Sequence, residues 1–333
     1  IDHRLCRLIL HRGSRCGGEK RGSGTSETAL KEYPSAEHGQ SQATRWGEFH
    51  RVSLDGSHSF GIVARRSAAR IVRDVIKLDA ATVFLQWSVG GMLGCWFTTR
   101  HREVGLGYGW LLRSIYVVMA VSAAYIGFAS RSSSTAEMIR NIGAIAVAAT
   151  ASFGLGQSIV RRKETSGGKE FQPSIDLWPV AVGLIALVAC GVSDGGNDAV
   201  AIVRTVVGAV FLGFVSDAML LGHWYLVQPG LPRRHVNEIV RMFLFIWPLE
   251  VVVMLIPTGM FSVFTGSVDD GWSGQLGWFW GACAITTGVL GVVTLKALQE
   301  RSYSAVMAAT GLMYLAILTS FGTDLVARAV LAG

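Results

Sequence analysis

The chain has 333 residues, of which 50% are hydrophobic and only 16% are charged, and its formal net charge is +7. Soluble domains carry about 25% charged residues, so this composition excludes an ordinary soluble protein and indicates a membrane protein. Residues 1–77 hold 14 Lys and Arg against 8 Asp and Glu, whereas residues 78–333 hold 16 against 15. The excess of basic residues therefore belongs to the N-terminal tail. Because no nucleic-acid-binding motif accompanies it, we expect no nucleic-acid partner.

The N-terminal tail comprises residues 1–58, which are rich in Gly, Ser, Arg and His and have no sustained apolar period. We predict that this tail is disordered. It carries no signal-peptide pattern, and the first Met of the chain is Met92, inside an apolar stretch. One interpretation is that the tail is an upstream extension that is not translated in the cell.

Residues 59–78 are predicted to form a basic amphipathic helix next to the membrane. Arg66, Arg70, Arg73 and Lys77 fall within about 60° of one another on a helical wheel, opposite an apolar face. A helix of this kind typically lies on an anionic leaflet. We therefore predict that it binds the membrane surface, with a solvated charged run as the alternative.

Residues 79–333 are predicted to form an all-α, polytopic transmembrane bundle of about eight spans. About 20 apolar residues cross about 30 Å of hydrocarbon as a helix, and lipid leaves only helices or closed barrels with a satisfied backbone. The predicted spans are 79–99, 108–130, 141–160, 177–193, 205–227, 239–260, 274–296 and 303–326.

Loop charge predicts the orientation of these spans. The basic residues of the first, third, fifth and seventh loops number ten: Arg100, Arg102, Arg161, Arg162, Lys163, Lys169, Arg233, Arg234, Lys296 and Arg301. The second loop holds two, Arg131 and Arg140, and the fourth and sixth loops hold none. The positive-inside rule then places the odd-numbered loops in the cytoplasm and both termini outside. The basic helix at 59–78 favours the opposite orientation, because it would prefer the cytoplasmic leaflet.

Two acidic residues, Asp217 and Glu250, lie deep within neighbouring predicted spans. Measured from the fifth loop, both are about 16 Å deep, near the midplane of the bilayer. An intramembrane acid normally faces the bundle interior with a partner, and two such acids close together could share a proton. We therefore predict a binding site for H⁺ or Na⁺ formed by Asp217 and Glu250. The alternative is that both acids are protonated and only lock helix packing.

Pro248 and His223 accompany this pair. Pro248 removes a backbone hydrogen bond two residues before Glu250 and predicts a helix kink, a common device at transport sites. His223 is the one histidine within a predicted span and is a candidate proton relay. Haem bound by two histidines would need a second intramembrane histidine, and no metal-binding spacing is present. No cofactor and no metal site is therefore firmly implied.

The remaining polar residues have simpler explanations. Arg113, Arg204 and Arg241 lie near span ends, where long basic side chains can snorkel to the interface. Asp324 and Arg328 are four residues apart on the last predicted helix and are expected to pair. Small-residue stripes, such as Gly90 and Gly94 in the first span, allow close contact between helices or with partner subunits.

Three functions fit this sequence. The leading hypothesis is a proton- or ion-coupled transporter or ion-translocating protein that uses the carboxylate pair. The alternative is a non-catalytic membrane subunit or anchor of a larger, respiratory-type complex, and the third is a haem- or metal-dependent redox protein that uses His223. No catalytic residue is assigned, which makes an enzyme the weaker expectation. A bacterial cytoplasmic membrane is the expected location, with the lipid bilayer and complex or homo-oligomer partners around it.

Overall fold

In a computed structural model of the chain, the described residues are 79–130, 134–164, 172–193, 198–228, 230–256, 259–265 and 274–331. The predicted disordered tail lies outside them. So does the predicted membrane-surface helix with Arg66, Arg70, Arg73 and Lys77.

The described residues form nine α-helices, one 3-10 turn and no β-strand. The helices are α1 (Ala80–Thr99), α2 (Leu106–Ala129), α3 (Thr135–Glu164), α4 (Leu177–Ser193), α5 (Asp198–Val227), α6 (Arg234–Leu255), α7 (Gly259–Phe264), α8 (Gln275–Ala297) and α9 (Tyr303–Leu331). The 3-10 turn Pro173–Asp176 leads directly into α4.

Seven of these helices are long and apolar enough to cross a membrane: α1, α2, α3, α4 together with its 3-10 turn, α5, α8 and α9. The prediction of an all-α polytopic bundle is thereby confirmed. Helix α6 occupies the position of the sixth predicted span and has 22 residues, but it includes Arg234, Glu238, Arg241 and Glu250. These charges explain why it does not reach the apolarity of the other seven.

Several helices are longer than the predicted spans, because hydropathy does not detect their polar ends. Helix α6 begins at Arg234 rather than at residue 239, and α3 begins at Thr135 rather than at residue 141. Hydropathy detects only the part of a helix that lies in hydrocarbon, whereas the backbone continues in helical form into the headgroup region. The earlier start of α6 increases the distance of Glu250 from the fifth connection along the helix.

Helix α1 lies at the centre of the bundle and is the most buried of the seven apolar helices. It crosses α5 where Gly90 meets Gly213: a side chain at either position would overlap the backbone of the opposite helix. Small residues at such a crossing let two backbones approach closely. The Gly90 and Gly94 stripe is therefore used for packing inside the chain.

Side-chain contacts define two ends of the bundle. At the odd-loop end, which carries the first, third, fifth and seventh connections, the ion pairs Arg100–Glu238 and Arg234–Glu103 join the first connection to the first two turns of α6. Arg233 also donates to the carbonyl oxygens of Arg301 (2.9 Å) and Ser302 (3.0 Å) in the seventh connection. At the opposite, even-loop end, Asp79 caps α1 and pairs with Arg140 of α3.

The outer surface of the bundle is apolar. Large side chains such as Tyr125, Phe245 and Trp278 are 75%, 72% and 74% exposed. A monomeric soluble protein rarely exposes an apolar surface of this extent, whereas a bilayer covers it. Several charged side chains are instead buried inside the bundle, among them Arg113, Asp217 and Glu250.

Candidate functional site

The first buried cluster surrounds Asp217 of α5. Asp217 is completely buried, and the hydroxyl of Tyr116 on α2 donates a hydrogen bond to its Oδ1. Its Oδ2 has no hydrogen-bond partner among the described residues. Oδ2 faces Gly94 of α1, where any side chain would overlap the carboxylate. The absence of a side chain at Gly94 thus makes the space that Asp217 occupies.

A buried ion pair lies between the Asp217 site and the odd-loop end. Arg113 of α2 donates from Nε to Asp176 Oδ1 (2.7 Å) and from Nη2 to Asp176 Oδ2 (2.8 Å), and both side chains are 1% exposed. The Cys95 thiol lies 3.8 Å from Asp176 Oδ2. The expectation that Arg113 snorkels is wrong, because the 3-10 turn brings a carboxylate to it inside the bundle.

The second buried cluster surrounds Glu250 of α6. Glu250 is completely buried, and its electrostatic neighbours are Asp324, Arg328 and Arg204. Neither of its carboxylate oxygens accepts a hydrogen bond from a donor of the described residues. A hydrogen bond between Glu250 and Asp324 can form only when one of the two carboxyls carries a proton. The two carboxyls are electrostatic neighbours, so the charge of each one affects the other.

Two arginines surround the Glu250–Asp324 pair. Arg328 Nε donates to both oxygens of Asp324 (2.9 and 3.0 Å), which confirms the predicted pairing along α9. Arg204 of α5 donates to the carbonyl oxygens of Val253 (3.1 Å) and Ile256 (3.0 Å) near the end of α6. Arg204 therefore does not snorkel freely but ties α5 to the end of α6.

Asp217 and Glu250 belong to separate clusters and do not pair with each other in this structure. Asp217 lies ten residues before the end of α5, about 15 Å from the fifth connection. Glu250 lies sixteen residues after the start of α6, about 24 Å from the same connection. The expected equal depth was wrong because α6 begins five residues before the predicted span.

The structure places the other predicted site residues apart from the buried carboxylates. His223 is exposed on the outside of α5. Its six-residue separation from Asp217 turns the side chain by about 240°, away from the bundle interior. Pro248 lies inside α6, which continues through it to Leu255. In this arrangement His223 does not contact the buried carboxylates among the described residues. Its role as a proton relay stays a prediction.

A charged network covers the odd-loop end above the Asp217 cluster. Glu103 pairs with Arg234, and its Oε2 lies 2.7 Å from Nε2 of His235. The hydrogen bond from His235, together with the charge of Arg234, holds the pKa of Glu103 below its usual value. The network fixes the first connection against the start of α6.

Four residues of these clusters escaped the sequence analysis: Tyr116, Asp176, Arg204 as a tether, and Asp324 as the partner of Glu250. Tyr116 lies within an apolar span, and the sequence around a single tyrosine does not indicate which group its hydroxyl contacts. Asp176 lies just before a predicted span and resembles a loop residue. Asp324 was assigned to a pair with Arg328 on its own helix, so there was no reason in the sequence to seek a second partner. Only the three-dimensional packing brings these residues to the carboxylates.

Comparisons of the chain with protein-family models, with curated proteins and with solved structures give no significant match. The fold and the buried clusters define the class: a multi-pass α-helical membrane protein with ionisable residues in its interior.

Proposed function

We propose that this protein translocates protons, or is a transporter coupled to them, with Asp217 and Glu250 as two proton-binding positions at different depths. The observation that carries the proposal is that three carboxylate oxygens, Asp217 Oδ2 and both oxygens of Glu250, are buried without a hydrogen-bond donor. A buried carboxylate without a donor is costly unless a cation or a proton occupies it.

The two positions lie nearer to opposite ends of the bundle. Asp217 lies about 15 Å from the odd-loop end, and Glu250 lies five residues, or about 8 Å, from the last residue of α6 at the even-loop end. A proton requires only one oxygen lone pair at each position, whereas Na⁺ requires several oxygen ligands around it. The single hydrogen bond at Asp217 therefore favours H⁺ over Na⁺ as the ion.

The arginines of the second cluster suit a position that binds and releases a proton. When Glu250 or Asp324 releases its proton, Arg328 and Arg204 can balance the new negative charge. We place this activity in the cytoplasmic membrane of a bacterium, with the odd-loop end inside, where a proton gradient drives transport.

A second candidate function is a non-catalytic membrane subunit, and one observation favours it. Asp217 and Glu250 are both 0% exposed, and neither lines the cavity beside Arg241 or the small cavity beside Arg113. In a subunit, the two acids would stay protonated and sealed, and would only fix helix packing. The two candidates differ in whether a proton can reach the carboxylates.

The deciding experiment follows protons in proteoliposomes under an imposed membrane potential, with a pH-sensitive dye inside. We expect a proton flux in the wild type that is lost in Asp217→Asn and in Glu250→Gln. Glu300→Gln is the matched control, because Glu300 is an exposed acid at the odd-loop end. A flux that persists in both folded variants contradicts the roles of these carboxylates.

A second readout separates the two candidates when the wild type conducts no protons. Infrared difference spectra recorded after a pH jump report whether a buried carboxyl gains or loses a proton. A carboxyl band that responds to pH and disappears in Asp217→Asn supports the proton-binding position. A band that does not respond at any pH at which the protein remains folded favours the membrane subunit.

A further inference from the structure

A cavity opens at the odd-loop end, away from both carboxylate clusters. It has a volume of about 730 Å³ and lies between the first two turns of α6 and the connection that follows α8. Its lining includes Arg234, Arg241 and Met242 of α6, and Leu298 of the connection that follows α8. This volume lies within the range of about 300–1,000 Å³ that is typical of small-molecule sites.

Arg241 is a cation of this cavity for which the described residues supply no counterion. Of the other charged lining residues, Arg234 pairs with Glu103, and Glu238 pairs with Arg100. Arg241 makes no ion pair and no side-chain hydrogen bond with the described residues. The cavity therefore presents one uncompensated positive charge.

The position of Arg241 determines which anion can reach it. It lies seven residues after the start of α6, about 10 Å along the helix axis. The same helix face continues with Phe245, Leu249 and Val252, which are 72%, 48% and 47% exposed. These apolar side chains face the acyl chains of the bilayer. Arg241 thus lies at the odd-loop end of an exposed apolar stripe, where we expect phospholipid headgroups to meet the helix.

We propose that this cavity binds the headgroup of an anionic phospholipid. The guanidinium of Arg241 contacts the phosphate with two parallel hydrogen bonds, which is the geometry that arginine offers to phosphate groups. One acyl chain follows Phe245 and Leu249 along the outside of α6. Basic pockets between transmembrane helices bind acidic headgroups in this manner.

The test measures lipid binding to the full chain in detergent by native mass spectrometry, with thermal unfolding as the second readout. The probes are phosphatidylglycerol, phosphatidylcholine and inorganic phosphate. We expect phosphatidylglycerol to bind the wild type more tightly than phosphatidylcholine. Arg241→Gln should bind phosphatidylglycerol about tenfold more weakly, which corresponds to about 1.4 kcal/mol. Arg301→Gln is the matched control, because Arg301 is an exposed arginine at the same end outside the cavity lining.

Three results would overturn the proposal: equal binding of phosphatidylglycerol to Arg241→Gln and to the control, equal binding of the two lipids to the wild type, or displacement of phosphatidylglycerol by inorganic phosphate at a comparable concentration. The last result would assign the cavity to a soluble anion. Arg241→Lys keeps the charge but loses the two-pronged donor, so it should bind with intermediate affinity. It decides the question if Arg241→Gln does not fold, since affinity equal to the control would then contradict the arginine contact.

Discussion

The proposed role of Asp217 depends on one hydrogen bond, which comes from the hydroxyl of Tyr116. The hydroxyl of Tyr116 supplies the one hydrogen bond that reaches Asp217 from the described residues, and the other carboxylate oxygen has none. A buried acceptor that loses its only donor keeps the full cost of its desolvation. Tyr116 therefore determines both the stability of the cluster and the ease with which Asp217 can release a proton.

The substitution Tyr116→Phe removes this donor and keeps the ring. We expect a loss of about 1–3 kcal/mol in the free energy of unfolding, because a buried carboxylate is left without a partner. If Asp217 carries protons, the proton flux in proteoliposomes should also fall, since the charged form of Asp217 is no longer stabilised. Denaturant unfolding in detergent and the flux assay measure the two effects.

The matched control is Tyr125→Phe on the same helix. Tyr125 is 75% exposed and faces the bilayer, so removal of its hydroxyl should change neither stability nor flux. Equal effects of the two substitutions would show that the Tyr116 hydroxyl has no special role. A stability loss in Tyr116→Phe without a change in flux would leave Tyr116 as a packing residue only.

The connections and helix ends hold the elements in place by buried and surface ion pairs. The 3-10 turn Pro173–Asp176 is fixed to α2 by the Arg113–Asp176 pair, which is enclosed on all sides. At the surface, the Glu103 network fixes the first connection to the start of α6. The two contacts differ in burial, and this difference predicts different consequences when each is broken.

Removing one partner of the Arg113–Asp176 pair leaves an uncompensated charge in the bundle. We expect Arg113→Met and Asp176→Leu each to lose about 3–5 kcal/mol of stability, whereas the double variant should lose less than either single variant. Thermal unfolding of the four proteins in the same detergent measures this cycle. Additive losses in the double variant would mean that the two side chains are energetically independent.

The Glu103 network predicts a dependence of stability on pH. The folded protein lowers the pKa of Glu103 below its ordinary value of 4.5, so the folded state binds this proton less readily than the unfolded state. The resulting stabilisation is present above that value and is lost as the pH falls through the lower, folded pKa. We expect the melting temperature of the wild type to exceed that of Glu103→Gln near neutral pH, with a difference that shrinks below pH 4.5.

The exposed residue Glu300 supplies the comparison for this measurement. Its side chain makes no ion pair within the described part of the chain, so Glu300→Gln should melt close to the wild type across the same range. A difference between the wild type and Glu103→Gln that stays constant with pH would attribute the effect of Glu103 to packing rather than to its charge.

At the scale of the whole molecule, hydropathy predicted the helices but not the contacts between them. The apolar runs predicted the multi-pass bundle because lipid requires long, uncharged helices whatever their neighbours. They did not predict the depth of Glu250, since the polar first turn of α6 carries no apolar signal. They also did not predict that Asp217 meets Tyr116 and that Glu250 meets Asp324. Those partners come from helices far apart in the chain, and their contact depends on rotation and crossing that composition does not encode.

The orientation of the bundle ties the separate proposals together. Ten basic residues in the odd-numbered loops against two in the second loop predict that the odd-loop end lies in the cytoplasm. In the predicted orientation the cavity at Arg241 would open into the cytoplasmic leaflet, where anionic lipids contribute a negative surface potential. Asp217 is then the carboxylate nearer the cytoplasm, and Glu250 is the one nearer the outside.

An epitope inserted between Arg301 and Ser302 tests this orientation in whole cells, with a second epitope between Ser130 and Arg131 of the second loop as its matched partner. We expect the first epitope to react with antibody only after the membrane is permeabilised, and the second to react before. The reverse pattern would place the odd-loop end outside. It would then exchange the sides from which protons reach Asp217 and Glu250, and would move the lipid site to the outer leaflet, although neither cluster would change internally. Orientation is thus the one property on which the direction of proton movement and the leaflet of the bound lipid both depend.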